Sequence, residues 1–124
     1  MWKKGKSKIL IVDDCISSTL TIKKILIEGG YSVLSSCGEQ GIKVAMGENP
    51  DIILLEILLQ NRNGLELLCR LKDNDRTKHI PVLVVTKSNT QKYITESYSL
   101  GAYAYLVKPN HNNWLLQRIN SLIK

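Results

Sequence analysis

At 124 residues and 44% hydrophobic content, the chain is long enough to bury one core and reads as a single globular domain spanning residues 1–124. No apolar run approaches the roughly 20 residues that cross a bilayer, and the Met-Trp-Lys-Lys start lacks the features of a secretory leader, so no membrane role is expected and the cytoplasm is the expected compartment. Seventeen Lys and Arg against eleven Asp and Glu leave a charge of +6, which favours anionic partners by long-range steering. Part of that excess is local: residues 1–7 form a basic N-terminal arm, with Lys3, Lys4 and Lys6 close to Lys8, and without a reading motif beside it the arm is expected to aid solubility rather than bind nucleic acid. Cys15, Cys37 and Cys69 lie far apart with no C-x-x-C spacing and no paired histidines, which suggests neither a zinc site nor a disulfide framework, and they are expected to be reduced packing residues.

Residues 8–12 (KILIV) are an apolar run that ends in acid, Asp13-Asp14, and read as a first strand. The helix expected over residues 16–28 carries Ile16, Leu20, Ile22, Ile25 and Leu26 near helical spacing, with Ser17 or Ser18 as cap and Gly29-Gly30 as stop. Residues 31–37 read as a second strand and residues 38–47 as a short helix with Ile42, Ala45 and Met46 on one face, closed by Glu48, Asn49 and Pro50. Residues 51–55 (DIILL) are unbroken enough to be a strand buried on both faces, and Glu56 stands at its carboxyl end.

Beyond Gly64, residues 65–72 group Leu65, Leu68 and Cys69, flanked by Leu71, on a third helix, followed by a polar loop over residues 73–78. Residues 80–86 form a fourth strand that tolerates Pro81 near its start and ends on Thr86. A fourth helix over residues 90–100 stacks Ile94, Ser97, Tyr98 and Gly101. A fifth strand, 103–107, leads to Lys108-Pro109, and residues 110–113 offer a cap for a last helix that buries Leu115, Leu116, Ile119, Leu122 and Ile123. Five strands alternating with five helices through short connections predict a doubly wound α/β fold, a parallel sheet covered on both faces.

Right-handed crossovers bring the carboxyl ends of all five strands to one edge. Asp13, Asp14, Glu56, Thr86 and Lys108 are expected there: three carboxylates, a hydroxyl and an ammonium. Oxygen ligands of this kind suit Mg²⁺, and a hydroxyl with an ammonium can hold the oxygens of a phosphoryl group.

Read together, ILIVDD, PDIILLE with a following NG, VLVVT and GAYAYLVKP resemble the receiver domains of bacterial two-component response regulators, over residues 8–124. The resemblance implies a CheY-like, flavodoxin-like fold with strand order 2-1-3-4-5. It implies a metal site of Asp13, Asp14 and Glu56, with Mg²⁺ as the ion. It also gives Glu56 the seat of the residue phosphorylated by a histidine kinase, Thr86 and Lys108 the phosphoryl contacts, and Tyr105 the place of the aromatic that reports the state. In that family the acceptor is aspartate. The extra methylene of Glu56 moves its carboxylate outward by roughly 1.5 Å, and about 1 Å of misplacement can cost ~100-fold in an in-line transfer.

The same reach carries negative charge toward Thr86 and Lys108. It is an incomplete imitation of a phosphoryl group, which brings three oxygens and about −1.5 to −2 charges. Lys87 stands where the family keeps a small residue and is a rival partner for Glu56. Gln60 replaces a proline, Asn63 an aspartate and Asn110 an apolar residue.

The expected function is thus an atypical receiver in phosphorelay signalling, not an enzyme. It would act through contacts with a histidine kinase or other signalling protein or with an output domain, and through a homodimer using the fourth helix, fifth strand and fifth helix. The alternatives are a conventional receiver, with Mg²⁺-dependent phosphotransfer to Glu56 or Asp14 and slow self-hydrolysis, and a nucleic-acid module using the basic arm. The anionic neighbours of Cys15 are expected to raise its thiol pKa, Trp114 is expected off the buried face of its helix, Tyr105 is expected to be static core, and His79 and His111 are read as surface.

Overall fold

Each apolar run is too short for a helix and is bounded by Asn, Asp, Gly or Pro, so each is satisfied as a strand. In the computed structural model, which describes residues 5–60, 63–108 and 112–123, they form β1 (Lys8–Val12), β2 (Ser32–Ser36), β3 (Ile52–Leu55), β4 (Val82–Thr86) and β5 (Ala104–Val107). All four pairings are parallel, and the sheet order is β2-β1-β3-β4-β5. Burial follows position in that order: β3 and β4 are buried at every residue and β1 at all but Lys8, while the edge strand β2 has no buried residue and β5 alternates.

Helices α1 (Ile16–Glu28), α2 (Gln40–Glu48), α3 (Gly64–Asp73) and α4 (Gln91–Ser99) connect successive strands, and α5 (Asn112–Ile123) follows β5. Because side chains alternate along a strand, the sheet feeds two cores. Ile9, Ile11, Leu54 and Val85 meet Ile22 and Leu26 of α1 and Leu115 and Ile119 of α5. Leu10, Val12, Ile53 and Val84 meet Ile42 and Ala45 of α2 and Leu65, Leu67 and Leu68 of α3. Each buried Ile, Leu or Val among them contributes about 1.5–3 kcal/mol.

Several local expectations change. α1 is capped by Cys15 rather than by Ser17 or Ser18, which lie inside its first turn, and Ile16 and Leu20 point to solvent at 77% and 60% exposure. On α4 the inward residues are Ser97 with the partly buried Tyr93 and Leu100, while Tyr98 and Gly101 are exposed. The inward spacing is i, i+4, i+7 starting at Tyr93, not at Ile94. Leu67, omitted from the expected face of α3, is buried. The loop after α3 holds a fully buried Thr77, whose hydroxyl donates to Leu71 O at 2.6 Å, and the Lys72 ammonium donates to Ile80 O at 2.6 Å.

Cys15 and Cys37 are exposed instead of packed, and Cys69 is half-buried. Trp114 is 46% exposed, as expected for a residue off the inner face, and His79 is at the surface. Residues 1–4 of the basic arm, and Pro109, Asn110 and His111, lie outside the described residues; Asn112 and Asn113 already belong to α5. Among the described residues, no helix is long and apolar enough to cross a membrane.

Candidate functional site

The parallel sheet ends its strands at one edge, and the backbone ties those ends together. Asp13 N–H donates to Ser36 O at 3.1 Å, Glu56 N–H to Val12 O at 2.9 Å and Lys108 N–H to Thr86 O at 2.7 Å. The residue following β1, β3 and β5 is therefore held by its neighbouring strand before any side chain interacts.

Side chains then converge on Lys108. Its Nζ donates to Asp13 Oδ2 at 2.7 Å and to Glu56 Oε1 at 3.1 Å, with 9% of the lysine side chain exposed and 4% and 8% of the two acids. Lys108, and not Lys87, is the partner of Glu56. Burial alone would lower the Lys108 pKa, but the Asp13 hydrogen bond and the charges of Glu56 and Asp13 outweigh it, and the ammonium is held above its ordinary value.

The remaining acid oxygens face backbone donors. Asp13 Oδ1 accepts from Cys15 N–H at 2.9 Å, Glu56 Oε2 from Leu58 N–H at 3.0 Å and Asp14 Oδ2 from Gln60 N–H at 3.0 Å. Asn63 and Gly64 begin α3 beyond the Leu58 and Gln60 donors. Asn63 caps α3 by accepting Leu65 N–H at 2.9 Å, and a Cβ on Gly64 would collide with Ile57 Cα and stand 2.7 Å from Glu56 O.

Asp13, Asp14, Glu56, Lys87 and Lys108 line one open cavity of about 420 Å³. Two expected members do not. Thr86 is fully buried, and its hydroxyl has no hydrogen-bond partner among the described residues. Tyr105 is half-buried against the α2–α3 side core and donates its hydroxyl to Ser88 O at 2.7 Å; burial is the chief reason its pKa is raised. Lys87 is exposed and makes no hydrogen bond or ion pair among the described residues.

The expected Mg²⁺ ligands Asp13, Asp14 and Glu56 share the cavity but do not fit the ion as arranged. Five of their six oxygens accept from internal N–H donors or the ammonium, and among the described residues no group of three or more His, Cys, Asp or Glu is placed to hold a metal.

Sequence reasoning named the charged groups and missed the backbone donors at Leu58 and Gln60. The signal for the second was present, since Gln60 has an N–H where a proline has none. It also gave the wrong direction for Cys15: the Ser17 hydroxyl, 3.4 Å from Sγ, and Ser18 N–H lower the thiol pKa, outweighing desolvation and the Asp13 charge.

Comparison with known proteins agrees with this fold. Residues 9–120 match the family model described as the response regulator receiver domain. The chain is 31% identical to Protein PilH of Pseudomonas aeruginosa, covering 94% of this chain and 98% of that protein. It is 35% identical to the probable transcriptional regulator ycf29 of Pyropia yezoensis over 94% of this chain, and it spans about half of that relative, 53%. Among solved structures, chemotaxis protein CheY4 of Vibrio cholerae superposes with a TM-score of 0.88 at 25% identity, covering 95% of this chain and 99% of that one. A putative response regulator from Chloroflexus aurantiacus gives 0.89 at 26%, covering 97% and 98%. Matched over nearly its whole length in sequence, and folded with the β2-β1-β3-β4-β5 order that gathers its acids at one edge, the chain belongs to the response regulator receiver family.

Proposed function

We propose that this receiver domain is atypical: Glu56 occupies the phosphoacceptor position and the domain signals through protein contacts with its acid edge held in a fixed, partly phosphoryl-like state. The observation that carries this reading is the 3.1 Å pair between Glu56 Oε1 and Lys108 Nζ, in which the longer acid reaches the cation directly. Two features weigh against a full imitation of phosphorylation. The Thr86 hydroxyl stays buried without a partner, and Lys87 is not drawn to the acid. The state is a charge-paired one without the hydroxyl contact that three phosphoryl oxygens would provide.

Receiver domains work with histidine kinases and output domains, and this chain is proposed to do so with no bond-making chemistry of its own. Its candidate docking face is that of α4, β5 and α5, also the proposed homodimer face, where Tyr98, Tyr103 and Trp114 are exposed at 47%, 54% and 46%. Tyr105 is proposed as a static member of that region, held by Ser88.

The test is incubation with Mg²⁺ and a small-molecule phosphodonor followed by intact mass. The unaltered chain is expected to gain no phosphate and Glu56→Asp to gain one. A stable phosphate on the unaltered chain, at Glu56 or Asp14, would instead establish the conventional receiver.

A further inference from the structure

Five carboxylate oxygens at the acid edge already have donors from the chain itself. Asp13 accepts from Cys15 N–H and the Lys108 ammonium, Glu56 from Leu58 N–H and the same ammonium, and Asp14 from Gln60 N–H. The ammonium stands between two acids that are almost wholly buried. A full positive charge is therefore fixed where the two acids converge. Mg²⁺ requires near-octahedral oxygens at about 2.0–2.1 Å and gives up water reluctantly. To enter here it would have to displace these donors or share oxygens that already accept from them, and meet Lys108 as a like charge at short range.

We propose that Lys108 is the resident cation of this site, so that the domain holds its acid edge together without a divalent metal. This rests on the reading of Glu56 as a charge-paired acid, since it is Glu56 that brings a second carboxylate onto the ammonium. The inference also assigns a positioning role to Gln60, whose backbone N–H occupies Asp14 and joins the loop after β3 to the loop after β1. Remove the ammonium, and the same cavity presents three carboxylates with the exposed Lys87, unpaired among the described residues, as its remaining lining cation. That is a set a divalent cation would stabilise.

The experiment is thermal unfolding of the full chain across a millimolar Mg²⁺ titration at matched ionic strength. The unaltered chain is expected to show no saturable rise in Tm. Lys108→Met is expected to melt lower without the ion and to recover saturably with it. The double variant Lys108→Met with Asp13→Asn is expected to lose that recovery. If Lys108→Met is unfolded without Mg²⁺, ion-dependent return of far-UV circular dichroism is the equivalent readout. A saturable Mg²⁺ response of the unaltered chain, or none in Lys108→Met, overturns the proposal. The two readings fail separately, because phosphate uptake is read by mass and ion binding by melting without a phosphodonor.

Discussion

Lys108 is costly to bury and costly to remove. Its ammonium has two acid partners at 2.7 and 3.1 Å, all three side chains largely buried, and leaving buried acids unpaired costs about 3–5 kcal/mol. Lys108→Met is expected to lose stability on that scale in denaturant melts without divalent ions. The pair also sets a pH dependence. Because the folded pKa of Lys108 lies above the ordinary 10.5, its contribution is fully present below that value and is lost as pH rises through the folded pKa. Lys72, lowered by burial, acts with the opposite sign. The difference in stability between the unaltered chain and Lys108→Met, followed from neutral to strongly alkaline pH, is therefore expected to shrink above pH 10.5; a constant difference would mean that the ammonium is not held there.

Thr86 tests the opposite physics. A hydroxyl buried without a partner costs about 1–3 kcal/mol, so Thr86→Val is expected to leave stability unchanged or raise it by about 1 kcal/mol, which a denaturant titration resolves. A clear loss would show that the hydroxyl is satisfied.

At the scale of elements, Leu58, Gln60 and Gly64 between β3 and α3 are closely placed. The Leu58 and Gln60 N–H groups point back onto Glu56 and Asp14, and Gly64 starts α3 against Ile57. Gly64→Ala is expected to cost at least about 1–3 kcal/mol by overpacking, measured as a drop in Tm with a weakened Glu56 environment. In α1 the contrast between faces gives a matched pair: Leu26→Ala is expected to cost about 2–5 kcal/mol and Leu20→Ala less than about 0.5 kcal/mol, because Leu26 is fully buried and Leu20 is 60% exposed.

The central strands were legible in sequence because both-face burial demands continuous Ile, Leu and Val, and a run such as residues 52–55 has no other comfortable place. The helix faces were less legible. α4 offers Tyr93, Ile94, Ser97, Tyr98 and Leu100 at mutually compatible spacings, and only the packing against the sheet decides that Tyr93 turns in and Tyr98 out. Caps failed for a related reason: Ser17 and Ser18 are good cap residues, but the chain leaves β1 with Asp13 committed to the edge and α1 begins at Ile16, which puts the cap at Cys15.

For the molecule as a whole, the parallel topology does what the order of apolar runs implied: it brings residues 13, 56 and 108 together from three strands. Their chemical identity and meeting place could be read from the chain because the acids and the lysine each end an apolar run. The occupancy of their oxygens could not, since it depends on backbone N–H groups whose direction is fixed only by folded turns, and the withdrawal of Thr86 depends on which way one hydroxyl faces. Glu56 and Lys108 follow strands that are not neighbours, with β4 lying between them, so their pairing is a tertiary coupling across the sheet edge.

A double-mutant cycle of Glu56→Gln and Lys108→Met measures that coupling most directly. Contacting charged residues show interaction energies of about 0.5–3 kcal/mol. The charge-paired site predicts that the double variant is more stable than the sum of the single losses allows, by more than about 1 kcal/mol. Additivity within about 0.5 kcal/mol would mean that Glu56 and Lys108 do not act on each other, and would contradict the account.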